Sequence, residues 1–268
     1  MSINLTNKQY AFANPVDLGI WQALQEVKDT LDSEGIGATI PTSPINIYVS
    51  TTGNDSNNGR TLGTAFRTVK RAVIESEKVV NGYFRTIINV DTGDYSNEEY
   101  LYFSISIGVS IHYSIDGFSP LLIKSISNTA TDVILPSITV FGGTLDLASV
   151  TIKDVVGAGA GLIATNSGGV DAKNLITLNT QIPLYAYNHG WLLIENLHVK
   201  DSTIPESSAV CWADQLSSVV IYGTMQNTNS TGPRYRADGL SIINTYGQGE
   251  NYLPGTTAGT VSNGGVYA

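Results

Sequence analysis

Thiols and imidazoles are scarce in this chain: 268 residues include one cysteine and three histidines. A lone Cys211 excludes an intrachain disulfide and reads as a small buried residue. His112, His189 and His198 lie far apart, without the third ligand that a metal site needs, and no cofactor motif accompanies them. Charge is also sparse. Only 14% of residues are charged, and 14 Lys plus Arg against 23 Asp plus Glu leave a formal net charge of −9. The cations do not cluster, which argues against nucleic acid, whose binding needs grouped cations to release counterions. Anionic membranes and acidic polysaccharides are disfavoured on the same ground. No membrane-inserting segment is visible, and residues 1–14 lack the apolar run of about 7 to 15 residues that a signal peptide requires. Synthesis in a cytoplasm is the resulting expectation.

What the chain has instead is repetition. Between Gly142 and Gly249 a polar turn, a short apolar strand, a Ser/Asn corner and a second short strand recur. Leu147, Ala172, Ile194 and Ile221 align as equivalent inward residues, at steps of 25, 22 and 27. Within each unit the first, fourth and sixth positions are mostly apolar, as in Leu147, Val150 and Ile152. The third is Ser149, Asn174, Asn196 or Gly223, types that accept tight corners. Short Val/Ile/Leu runs bounded by Gly, Asn and Ser are strand signals, and a period of this size marks a solenoid. The fold class expected is all-β, a right-handed parallel β-helix whose equivalent side chains stack about 4.8 Å apart. A leucine-rich horseshoe fails for want of its leucine framework.

Two helices flank this pattern. Residues 1–40 read as a separate N-terminal helical segment, where Ile20, Leu24, Val27 and Leu31 form a short heptad seam after Pro15. Either a coiled coil or an amphipathic helix lying on the β-domain satisfies that seam. A second helix is predicted from Phe66 to Glu77, with Phe66, Val69, Ala72 and Val73 on one face, suited to capping the open end of a β-helix. The solenoid is assigned to 41–249, and 250–268 to a C-terminal tail.

The stretch Ile47 to Gly59, the run Thr64 to Ala72, and Ile88 to Gly93 with Tyr95 resemble the leading segment of right-handed parallel β-helix proteins of the pectate-lyase-like superfamily. Many of these are bacteriophage tailspikes and tail fibres. The ending from Tyr252 to Thr260, with Gly264, Gly265 and Tyr267, is similar to chain ends of phage tail proteins. The resemblance implies a homotrimer in the virion, attached through its N-termini to a phage tail or baseplate protein and directed at a host surface polysaccharide or lipopolysaccharide. The seam at Ile20, Leu24, Val27 and Leu31 suits trimerisation, and the tail is then either ordered by neighbouring chains or frayed.

Related spikes often cleave polysaccharide with paired carboxylates. Asp154 and Asp201 occupy the eighth position of their units, two rungs or about 10 Å apart, within the range for such a pair. Surface acids at solvated turns are the norm, so ordinary solvated carboxylates are the favoured explanation. Lys173 and Glu195 should stack as an ion pair, and Arg234 and Arg236 near Asp238 are the nearest approach to a lyase set, which a salt bridge also explains. Tyr185, Tyr187, Trp191 and Trp212 fall in consecutive rungs, where they either stack against sugar rings or pack within or between subunits. The function expected is adhesion to a host glycan without catalysis. A polysaccharide depolymerase, hydrolase or lyase, and a purely structural tail protein are the alternatives.

Overall fold

The computed structural model describes residues 44–77, 86–98, 101–104, 121–154 and 159–268. A division after residue 40 places all of these in one unit, 41–268. The N-terminal segment with Ile20, Leu24, Val27 and Leu31 lies outside the described residues, as does His112.

Short strands follow one another along the chain: β1 Ile45–Val49, β2 Thr86–Val90, β3 Gly93–Asp94, β4 Leu101–Ser104, β5 Leu121–Ser125, β6 Val133–Leu135, β7 Ile138–Phe141, β8 Thr144–Lys153 and β9 Ala160–Thr165. The series continues with β10 Gly169–Leu178, β11 Ile182–Tyr187, β12 Trp191–Lys200, β13 Cys211–Ala213, β14 Ser218–Thr228, β15 Tyr235–Ala237, β16 Ile242–Asn244, β17 Thr260–Val261 and β18 Val266–Tyr267. Among the described residues one α-helix, α1 Val69–Glu77, interrupts them. The first sheet runs β1-β2-β5-β8-β10-β12-β14-β16-β18, with β3 and β6 paired at its side. The second runs β4-β7-β9-β11-β13-β15-β17. Neighbouring strands are parallel, so the chain is a parallel β-solenoid, as its repeats predict.

The repeat alignment is the strand register. Leu147 pairs with Ala172, Ala172 with Ile194, and Ile194 with Ile221, and all four are buried. Fully burying such a side chain contributes about 1.5–3 kcal/mol, and stacking repeats that gain in every rung. The second sheet supplies the opposite wall with two inward columns, Leu162-Leu184-Cys211-Tyr235 and Ala164-Ala186-Ala213-Ala237. Cys211 is fully buried, and burial pushes its thiol up, away from reactivity.

Corners are set by residues that accept a positive φ. Ser149, Asn174, Asn196 and Gly223 have φ of 56°, 54°, 63° and 86°, so each long strand bends at its third repeat position. Asn196 Nδ2 donates to Asn174 Oδ1 at 2.9 Å, and Thr224 N–H donates to Asn196 Oδ1 at 2.8 Å. One detail departs from the sequence repeat. Gly223 and Thr224 together face Asn196, a bulge that pairs Met225 rather than Thr224 with Leu197 and sets Thr228 opposite Lys200.

A second corner joins the second sheet back to the first. It carries two successive positive-φ residues in each turn: Asn166 and Ser167, Asn188 and His189, Gln215 and Leu216, Gly239 and Leu240. The next residue is Gly168, Gly190, Ser217 or Ser241. A Cβ on Gly190 would collide with the Ala164 carbonyl of the rung before, whereas the Ser217 hydroxyl donates to the equivalent Ala186 carbonyl at 2.8 Å.

The outer edge of β1 is paired. Tyr48 N–H donates to Gly59 O, and Phe66 forms a parallel bridge with Val49, so the loop after β1 closes the strand edge that the sequence reading assigned to the helix. The helix accordingly begins at Val69, three residues later than predicted. Val69, Ala72 and Val73 are buried with Phe66, as the spacing predicts. At the other end, residues 250–268 carry β17 and β18, which extend both sheets. Tyr267 stacks on Tyr235 at 3.8 Å, and Leu253 is buried beside this end of the core.

Candidate functional site

Residues that alternate with the two inward columns of the second sheet face outward, and one outward column carries the ring-bearing side chains. In register it reads Ile163, Tyr185, Trp212, Arg236, Thr260. Tyr185 and Trp212 ring centroids are 4.9 Å apart and tilted by 37°, and Tyr187 stacks on Tyr185 at 4.8 Å and 24°. Arg236 lies over the Trp212 ring, with Cζ 4.5 Å from the centroid. All four are half-buried. Because the rings lie against one another, a ligand along this column meets ring edges and phenol hydroxyls more than open ring faces.

Three of the four aromatics expected to act together therefore do share one face. Trp191 does not. It opens β12 on the first sheet, where its indole occupies the space above Gly169 that a Cβ would fill. Only three residues separate Trp191 from Tyr187, but that Asn188-His189-Gly190 corner turns the chain between them onto the other sheet. Arg236 is the partner that aromatic counting missed, although its pairing with Asp238 is as expected.

Arg236 is fixed on every side. Its Nε and Nη2 donate to Asp238 Oδ2 at 3.2 and 3.0 Å, and Nη1 donates to the Ser207 carbonyl at 3.0 Å. Asp238 Oδ1 accepts from Ser262 Oγ and, at 2.9 Å, from Asn263 Nδ2. The Ser262 hydroxyl, then Arg236 and Asn263, hold this carboxyl below the usual aspartate range against its burial. Arg234 donates from Nη1 to the Thr257 carbonyl at 2.9 Å.

Asp214 continues the same face. It follows Ala213, its N–H donates to the Ala186 carbonyl at 2.9 Å, and Oδ1 accepts from the Gln215 N–H at 2.7 Å. No second partner is found for its Oδ2 among the described residues. Burial, and next the Asp214 charge, push the Tyr185 hydroxyl above its ordinary pKa.

Asp154 and Asp201 are placed differently. Asp154 is half-buried just after β8, where burial pushes its carboxyl up and its Oδ1 is buried without a partner among the described residues. Asp201 is exposed at a corner with φ of 48°, and its Oδ1 accepts from Asn229 Nδ2 at 3.0 Å. The Asn179 rung lies between the two. Lys173 and Glu195 do form the expected ion pair, at 2.8 Å. His198 is half-buried. Its Nε2 bonds Thr228 Oγ1 at 2.8 Å, and burial, then Lys200, lower its pKa.

A polar cleft of about 300 Å³ lies near the other end, lined by Thr51, Arg67, Thr68, Asp94, Tyr95, Asn97 and Glu98. Its carboxylates already have structural tasks. Glu98 accepts the Val69 and Lys70 N–H groups at 3.0 and 3.1 Å, beside Asp55, which takes those of Arg67 and Thr68. Together they satisfy the orphan donors at the start of α1. Asp94 Oδ1 accepts from Ser96 N–H at 2.8 Å, and Lys153 lies 3.7 Å from Oδ2.

Among the described residues no group of three or more His, Cys, Asp or Glu is placed to hold a metal, and no helix is long and apolar enough to cross a membrane. No family model, no curated protein and no solved structure matches the chain.

Proposed function

We propose that this solenoid is a bacteriophage tailspike or tail fibre, a homotrimer in the virion that adheres to a host surface polysaccharide or lipopolysaccharide. The observation that carries the reading is the outward column Tyr185-Trp212-Arg236, with Tyr187 stacked beside Tyr185, on the second sheet. Aromatic side chains with polar tips suit a ligand that is apolar on its ring faces and hydroxylated at its rim, as sugars are. The column also keeps an unfavourable feature. Trp212 Nε1 is buried without a partner among the described residues, at a cost of about 1–3 kcal/mol that phenylalanine would avoid.

Side-by-side assembly draws support from the first sheet. Its outward face carries Trp191, Ser218, Ile242 and Val266 in one column and Asp171, Leu193, Val220 and Asn244 in the next, so apolar side chains alternate with a few polar ones, and Ile242 and Val266 are exposed. An apolar stripe of this kind marks a protein contact more often than a solvent face. The N-terminal segment would join the particle, and the second sheet would face the host.

Purified protein should be retained by immobilised lipopolysaccharide or capsule of the host, and Trp212→Ala should weaken retention about tenfold or more with the melting profile preserved. Equal retention of a folded Trp212→Ala protein would remove this column from the reading.

A further inference from the structure

We infer that the face formed by Tyr185, Tyr187, Trp212 and Asp214 takes an uncharged glycan and discriminates against glycans bearing carboxylates. The inference rests on the glycan-binding reading and names the ligand class of the same face.

Its basis is the state of the charges around the column. Recognition of uronate, sulfate or phosphate groups relies on cations able to offer hydrogen bonds to the ligand. Arg236 is the cation in the column, and its three nitrogens are engaged by Asp238 and the Ser207 carbonyl while its plane lies on Trp212. Turning it toward a ligand would strand Asp238, which is 8% exposed. Arg234, two residues before it, gives Nη1 to the Thr257 carbonyl.

The carboxylate that remains is Asp214, whose Oδ1 takes one backbone N–H and whose Oδ2 takes none among the described residues. It follows Ala213, the register partner of Ala186, and its N–H donates to the Ala186 carbonyl, so it stands beside Tyr187 at the end of the column, where its charge helps push the Tyr185 hydroxyl up. An ionised carboxylate accepts hydrogen bonds from sugar hydroxyls, and such charge-assisted bonds are roughly twice as strong as neutral ones. The same group repels a carboxylate brought to the rings, within a chain of formal charge −9. Tyr185 and Tyr187 add phenol hydroxyls that both donate and accept. Nothing in this set of groups favours an anion over a hydroxyl.

The test is an immobilised array of bacterial surface polysaccharides, half uncharged and half containing uronic acids, probed with the full chain and with Asp214→Asn. Asparagine keeps the acceptor for the Gln215 N–H, and circular dichroism melting checks the fold. The wild type should retain uncharged polysaccharides about tenfold more tightly than uronate-bearing ones. Asp214→Asn should lose about tenfold on the former and narrow the discrimination. Equal or tighter binding of uronate polymers, or unchanged binding by a folded Asp214→Asn protein, would overturn the inference and leave adhesion standing. Retention of neither class would remove both.

Discussion

Asp238 joins two neighbouring turns of the solenoid: Ser262 and Asn263 reach its Oδ1 from the rung beyond, and Arg236 reaches Oδ2 from its own. Since the folded state holds this carboxyl below its ordinary value of 3.8, its contribution is fully present above that pH. It is lost as pH falls through the lower, folded value. Chemical denaturation at pH 7 and at pH 3 should show wild type losing stability at the acid end. Asp238→Asn should be less stable at pH 7 by about 1–2 kcal/mol, and the gap to wild type should shrink at pH 3.

Corner residues show the same economy of single atoms. Asn174 and Asn196 accept a conformation that most residues avoid and bond across the rung through their amides. Their role is legible in sequence because few residue types accept that backbone geometry. The task of Asp238 is not, because its partners lie a whole turn later in the chain and no local pattern announces them.

At the scale of elements, the inward half of each strand is the most readable part of the protein. Burial on a strand admits apolar residues at alternate positions, so Leu147, Ala172, Ile194 and Ile221 disclose the register directly. The bulge at Gly223 is hidden, because an extra residue placed at a corner leaves the apolar spacing on either side nearly intact. The aromatic set is half-readable: period-two alternation places Tyr185 and Tyr187 on one face, whereas the turn that sends Trp191 to the other sheet is a matter of backbone geometry. Helical spacing over Phe66 to Val73 likewise finds the buried face but not the start of α1. Phe66 serves the strand edge instead. Its side chain is fully buried, and a Cβ on Gly59 would collide with its ring. Phe66→Ala should therefore cost about 3–5 kcal/mol, read as a shift in denaturation midpoint, with early loss of amide protection in β1.

For the whole molecule, the two sheets divide the work. The first turns an apolar stripe outward, and the second turns a column of rings and polar groups outward. Parallel strands propagate each stripe from rung to rung in fixed register, so a change in one rung alters a surface that runs along several. Ring edges, phenol hydroxyls and Asp214 lie along the outward face of the second sheet, the face used in the proposed attachment, while Glu98 and Asp94 in the cleft hold α1 and its neighbouring turns in place.

In the proposed trimer, three chains joined along the first sheet would leave every second sheet facing outward. Sedimentation equilibrium measures that state directly. The account expects a mass three times the 28.6 kDa chain for wild type and for Trp212→Ala, and a shift toward monomer when Val220→Lys places charge in the stripe. A wild-type protein that sediments as a single 28.6 kDa chain at every accessible concentration would contradict it.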